Sequence, residues 1–188
     1  MTDGGTHTGV ESQPLCLRFT KTLRSRSLPT PKEYLCHPSD LAEWLVTAGL
    51  GPEAPAVDEE LLREARELRE SIYRAARSVA NGERPAEADR ALVNAWSRRG
   101  DAYRVLDDAG AGWCFPGASP ARSALAVLAG DAVDTLGGVR TGTVKVCAGT
   151  GCVAVFLDTS RGRTRRWCSM GTCGNRAKKD AMRTRHER

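Results

Sequence analysis

Four cysteines near the end of the chain have the spacing of a metal site. Cys147-Ala-Gly-Thr-Gly-Cys152 and Cys168-Ser-Met-Gly-Thr-Cys173 share one internal spacing and are separated by fifteen residues, about a hairpin's length. Each pair can deliver two thiolates from one tight turn, and the segment between them brings the second turn beside the first. That is the supply a tetrahedral zinc shell needs. Four thiolates fill the shell and leave no position open to activate water, so one structural zinc is expected, and not a catalytic one. Its binding would contribute on the order of 10 kcal/mol to folding a module whose main core is Val155, Phe156, Leu157 and Trp167. Two disulfides are the competing reading. With no signal-peptide pattern at the start of the chain, metal on reduced thiols is the expectation.

Basic side chains gather around these cysteines. Residues 143–188 hold 11 Lys and Arg against 3 Asp and Glu, a balance of +8, which leaves 17 against 20, or −3, for the rest of the chain. A zinc on four thiolates adds −2, so the tail would still carry about +6. Arg163, Arg165 and Arg166 precede the second cysteine pair, and Arg176, Lys178, Lys179, Arg183 and Arg185 follow it. The latter lie on a segment without Pro and rich in Ala, Lys and Arg, which predicts a helix to about the C-terminus. On that helix Arg176, Lys179 and Arg183 share a face, extended by His186, while Lys178 and Arg185 flank another edge. Ala177, Ala181 and Thr184 form a narrow small-residue face expected to rest against the hairpin. Phosphate is the natural counterpart of such a surface, which makes DNA the expected partner. An acidic protein surface and RNA are the alternatives, and a solvated basic helix is the bland one. With Trp167 the only aromatic residue near the basic face, stacking on RNA bases looks under-supplied. Gly174 is expected to let the backbone turn after the last cysteine, and Asn175 to bond at the helix start. Arg176 is expected either to meet a phosphate or to hold Asp158.

The elements that must position these groups are legible in outline. Val153–Leu157 is β-prone, Asp158–Gly162 has turn chemistry, and Thr164–Trp167 is predicted to return as the second strand. Knuckle, hairpin, second knuckle and helix make a treble-clef-like order. Upstream, Leu15–Phe19 fits either a strand or a helix, and Pro29 and Pro31 mark a loop. Ser39 is the expected N-cap of a short helix carrying Leu41, Trp44 and Leu45 on one face and ended by Gly49 or Gly51. The clearest helix runs from about Asp58 to Ala80, with Leu61, Ala65, Leu68, Ile72, Ala75 and Val79 at three- and four-residue steps. A further helix from about Pro85 is expected to turn Ala88, Leu92 and Trp96 inward. Tyr103–Leu106 and Trp113–Phe115 predict a hairpin. Ser119-Pro120 opens a helix to Leu136 with the stripe Leu125, Leu128, Ala132 and Leu136, Val133 beside it, and Gly137-Gly138 at its close.

The cysteine-rich stretch resembles a known family, the CGNR zinc-finger proteins. The resemblance is carried by Cys147-x4-Cys152, Phe156-x-Asp158, Arg165-Arg166-Trp167-Cys168-Ser169-Met170 and Cys173-Gly174-Asn175-Arg176. It implies zinc on the four cysteines and DNA as partner, in a family regarded as bacterial, stress-related transcription regulators. Around Leu15–Leu50 the chain is similar to the ABATE domain that accompanies this finger, through the Leu-x-Phe-x-x-Thr pattern at Leu17–Thr22 and Leu41-Ala42-x-Trp44-Leu45. An acidic residue is expected before Phe19 and Asn before Thr22, but Arg18 and Lys21 stand there. Any ligand site that relatives build on those positions is altered or absent here.

The fold expected is therefore a mainly α N-terminal domain, about four helices plus a β-hairpin, with a small C-terminal α+β treble-clef-like zinc finger. The boundaries are residues 1–13 as a disordered start, 14–138 as the helical ABATE-like domain, 139–142 as linker and 143–188 as the finger. The 40% hydrophobic and 27% charged fractions are those of a soluble globular protein. No apolar run approaches the ~20 residues of a membrane span, so no membrane partner and a cytoplasmic, nucleoid-associated location are expected. No P-loop, nucleophile elbow or dinucleotide fingerprint is present, and nothing speaks for an enzyme. Cys16, Cys36 and Cys114 lack partners at ligand spacing and are expected to be buried, inert thiols. His7 and His37 fall in no metal pattern. The function this supports is a DNA-binding transcription regulator whose helical domain senses a small-molecule effector or mediates assembly, homodimerisation included. A protein-interaction adaptor is the alternative.

Overall fold

Apolar steps of three and four residues build most of this molecule. The computed structural model describes residues 13–51, 53–108 and 110–186. The expectations for residues 1–12, including His7, lie outside the described residues. The undecided Leu15 stretch is a helix, α1 (Leu15–Thr20). A short hairpin follows, β1 (Leu23–Arg24) against β2 (Lys32–Glu33), with Leu23 opposite Glu33. Next come α2 (Pro38–Thr47), α3 (Glu59–Ala80) and α4 (Glu87–Ser97), then a second hairpin of β3 (Tyr103–Asp107) and β4 (Gly110–Cys114), and α5 (Pro120–Leu136). A third hairpin pairs β5 (Thr143–Val146) with β6 (Val155–Asp158), and a single π-type turn at Met170–Gly174 leads into α6 (Asn175–His186). The architecture is mainly helical with a small finger carrying the four close cysteines, as expected.

The helix α3 is the hub. It packs against α1, α2, α4, α5 and both strands of the third hairpin. Its expected stripe is buried at Leu61, Ala65, Leu68, Ile72 and Ala75, with Val79 partly covered. Asp58 caps its start, accepting from the Leu61 N–H at 2.7 Å. Other expectations shift in register. The N-cap of α2 is His37, not Ser39, because Asp40 Oδ2 reaches back to accept from the Cys36 and His37 amides at 2.7 Å each. On α4 the buried residues are Asp89, Val93 and Trp96, while Ala88 is exposed. Asp89 faces inward because Arg74 of α3 pairs with it at 2.5 Å. Val133 of α5 is exposed. Gln13, expected to be disordered, is buried.

The largest correction concerns the finger's sheet. Thr164–Trp167 is not a strand. The partner of β6 is β5, with Val144 opposite Leu157 and Val146 opposite Val155. Thr143-Val-Lys-Val has the period-2 alternation that a half-buried strand needs, and Thr-Arg-Arg-Trp lacks it. Val144, Val155 and Leu157 join the same buried cluster as the helices, while Phe156 points to the other face and packs with Cys147 and Cys168. One side of this hairpin thus belongs to the main core, and the other to the metal site.

Candidate metal centre and nucleic-acid interface

The first cysteine pair sits in the turn of the β5–β6 hairpin. Cys147 N–H extends the ladder to the Ala154 carbonyl at 2.8 Å, and Cys152 N–H closes a tight turn on Gly149 O at 2.9 Å. The second pair brackets the π-type turn, Cys168 just before it and Cys173 inside it. The four Sγ atoms lie within 4.8 Å of one another. Cys152 to Cys168 is 3.7 Å and Cys168 to Cys173 is 3.9 Å. A tetrahedron with Zn–S of about 2.3 Å has edges of about 3.8 Å, so the spacing fits zinc. It does not fit two disulfides, whose sulfurs would stand about 2 Å apart.

The electrostatics point the same way. Hydrogen bonds from the Cys152 and Cys168 thiols hold Cys147 far below the ordinary thiol value. The same contact with Cys147 pushes Cys152 up to about 11, and Cys168 higher still. Crowded sulfurs cannot all ionise alone, and a divalent cation lets them do so. The Gly149 and Cys168 amides already donate to Cys147 Sγ at 3.4 and 3.3 Å. Gly149 is needed here for space. A Cβ on it would stand 2.9 Å from Cys173 Cβ, where the two turns nearly touch. Gly174 is not at positive φ, and a Cβ there would meet only the flexible end of the Met170 side chain, Sδ at 2.9 Å, which can swing aside. The four cysteines hold one structural zinc.

Behind the metal site Asp158 organises the connecting loop. Its side chain is fully buried and accepts from Lys145 Nζ at 2.8 Å, the Ser160 hydroxyl at 2.6 Å and the Ser160 and Arg165 amides at 3.0 Å each. Burial alone would raise its pKa, but these donors hold it well below the usual carboxylate range. Asp158 is held by Lys145, then, and Arg176 instead borders two clefts beside α6. Sequence reasoning missed Lys145, although its place between Val144 and Val146 on an alternating strand marks it as opposite in direction to the core.

The expected basic residues divide into two groups. Arg163 donates to Asp158 O at 2.6 Å, and Arg165 donates to Trp167 O at 2.8 Å and Cys168 O at 2.6 Å while stacking on Phe156. Both guanidinium groups are half-buried and hold the loop. Arg166 is exposed, with its guanidinium 5.5 Å from the Trp167 ring centre. Arg176, Lys178, Lys179 and Arg183 are exposed on α6, where Asp180 is the one acidic residue. The side chains of Thr184, Arg185 and His186 lie outside the described part. The small-residue face does not rest on the hairpin: Ala177 is half-buried but Ala181 is exposed, so α6 projects from the finger after its first turn. A helix without an apolar stripe gains nothing by lying down.

Of the other cysteines, Cys16 is buried, and burial pushes its thiol well above the ordinary value, with Asp131 adding to the effect. Cys114 is only half-buried and Cys36 is exposed, contrary to expectation. Lys21, at the end of α1, faces the metal site. Burial pulls its ammonium below the ordinary value, against the attraction of Cys168 and Cys152.

Two family models match the chain. Residues 13–139 match ABATE, described as "Putative stress-induced transcription regulator", and residues 143–186 match the CGNR zinc finger. The chain belongs to the ABATE family and ends in a CGNR zinc finger. Both families are regulatory or zinc-finger types, and the pair suggests a regulator with a zinc-binding module. No curated protein matches the chain. No described helix is long and apolar enough to cross a membrane.

Proposed function

We propose that this protein is a DNA-binding transcription regulator. Residues 143–186 make the DNA contact, residues 13–139 sense a small-molecule effector or mediate assembly, and the protein works at the nucleoid. The observation that supports this best is α6, which stands out from the zinc centre with Arg176, Lys178, Lys179 and Arg183 exposed and Arg166 on the adjoining loop. A rigid metal-fixed base and an unpacked basic helix suit insertion beside phosphates, which supply the affinity. Arg163 and Arg165 support the loop in this reading and do not carry phosphate contacts.

Fluorescence anisotropy of the full-length zinc protein with labelled duplex DNA, across a salt series, tests the reading. Affinity should fall steeply with salt. In the triple variant Arg176→Gln, Lys179→Gln, Arg183→Gln the log–log slope should shrink by about 3, one unit per lost phosphate contact. Salt-independent or absent binding would count decisively against it. The adaptor reading has one observation in its favour: Met170 and Met182 are 47% and 66% exposed beside the same basic surface. It predicts that the triple variant loses a protein partner while duplex binding is negligible throughout.

A further inference from the structure

The finger and the helical part do not meet flush. Between the α1–β1 corner on one side and both cysteine turns on the other lies a cleft of about 300 Å³. That is the lower end of the size range for small-molecule sites. Among the described residues, its lining contains four cations, Lys21, Arg24, Arg26 and Arg176, and no carboxylate. Arg26 is already engaged. It pairs with Glu70 at 2.5 Å, donates to Thr20 O at 3.1 Å and stacks 3.9 Å from the Tyr73 ring centre. Glu70 in turn ties to the buried Arg69, which holds Glu33 at 2.6 Å, so the corner is braced from behind. Among the described residues, no ion pair with a carboxylate engages Lys21, Arg24 or Arg176.

Backbone strain marks both walls. Ser25, in the lining, has φ 55°, and Val153, between the lining residues Cys152 and Ala154, has φ 45°. A β-branched residue in the left-handed region is a real outlier, of the kind that collects at ligand clamps at a cost of about 1–3 kcal/mol. Tyr73 Oη of α3 holds Val153 in place by donating to its carbonyl at 3.0 Å.

We propose that this cleft binds a small phosphorylated ligand through Lys21, Arg24 and Arg176, and that the bound phosphate draws Arg176 away from DNA. Three cations from separate elements offer more donors than the two oxygens of a carboxylate can use, and a phosphate's terminal oxygens match them. Four thiolates on a zinc carry a formal −2 behind Cys152, Cys168 and Cys173, so the three cations hold the phosphate and the sulfurs do not. Arg176 also borders the outer groove of α6 with Lys178 and Lys179. Ligand and DNA therefore compete for one guanidinium, and by linkage each weakens the other. This second half rests on the DNA-binding reading, and the first half does not.

Isothermal titration of the full-length zinc protein with inorganic phosphate, in low-salt chloride buffer, tests the site directly. One saturable phosphate per chain is expected. The double variant Lys21→Gln, Arg24→Gln should bind about tenfold or more weaker at unchanged zinc content, and Arg183→Gln should bind like the parent. Should the double variant lose zinc, the exposed Arg24→Gln alone serves, with a weakening of several-fold. Unsaturable uptake, or equal binding by parent and variants, would overturn the site. At matched ionic strength, phosphate should weaken duplex binding by the parent more than by the double variant. Saturable phosphate binding without any duplex binding would leave the site standing and sink the DNA reading. Duplex binding without a phosphate site would do the reverse.

Discussion

At the scale of single residues, the metal site depends on how closely two turns approach. Cys147 and Cys152 were readable as ligands from spacing, but Gly149 between them was not readable as a spacer. Its role exists only because Cys173 arrives against it from 24 residues away, with no room for a methyl group. Gly149→Ala should therefore push the turns apart and lower zinc affinity by about tenfold or more, a loss of roughly 1.4 kcal/mol or greater. Competition against a chromophoric chelator measures it. A parent-like affinity would show that the turns yield without cost. Asp158 carries the same lesson. Its turn chemistry is visible in Asp158-Thr-Ser-Arg-Gly162, while its half-buried partner Lys145 lies on a strand that periodicity supports but local turn signals do not mark.

At the scale of elements, the β5–β6 hairpin has two faces with different dependencies. Val144, Val155 and Leu157 pack into the cluster around α3, whereas Phe156 shares its surroundings with Cys147 and Cys168. A core of only Val155, Phe156, Leu157 and Trp167 would leave the finger to unfold once the metal is removed. The packing argues for a divided response. After chelation, hydrogen exchange should show residues 147–154 and 168–183 losing protection, while the amides of β5 and β6 keep most of theirs. Uniform loss across 143–183 would mean that the main core does not hold the hairpin. The helix α6 was predicted correctly as a helix but wrongly as a packed one. Small residues at Ala177 and Ala181 permit close approach, yet nothing apolar on the helix drives it.

At the scale of the whole molecule, the segment before α1 and the finger are joined by a side chain. Gln13 Nε2 donates to Leu157 O at 3.0 Å, and Gln13 Oε1 accepts from Leu157 N–H at 2.7 Å, across 144 positions in a buried setting. Its amide satisfies both backbone groups on the open edge of β6, as a neighbouring strand would. Gln13→Ala leaves both without partners and should cost about 1–3 kcal/mol of stability, read from urea melts of the zinc-loaded protein. A change below about 0.5 kcal/mol would mean that water replaces the amide.

The sequence by itself determined what depends on local order. Metal-ligand identity came from two equal cysteine spacings, the helix α3 from its 3.6-residue period, and α5 from Ser119-Pro120 at one end and Gly137-Gly138 at the other. It also determined where charge collects, because composition needs no geometry. Tertiary structure alone decided the pairing of β5 with β6, the direction of α6 and the division of the arginines. A guanidinium on a chain reads the same whether it ends on a carbonyl, as at Arg165, or in water, as at Arg183. Which of these happens depends on what lies within about 3 Å of it, and those neighbours come from segments that no local pattern brings together.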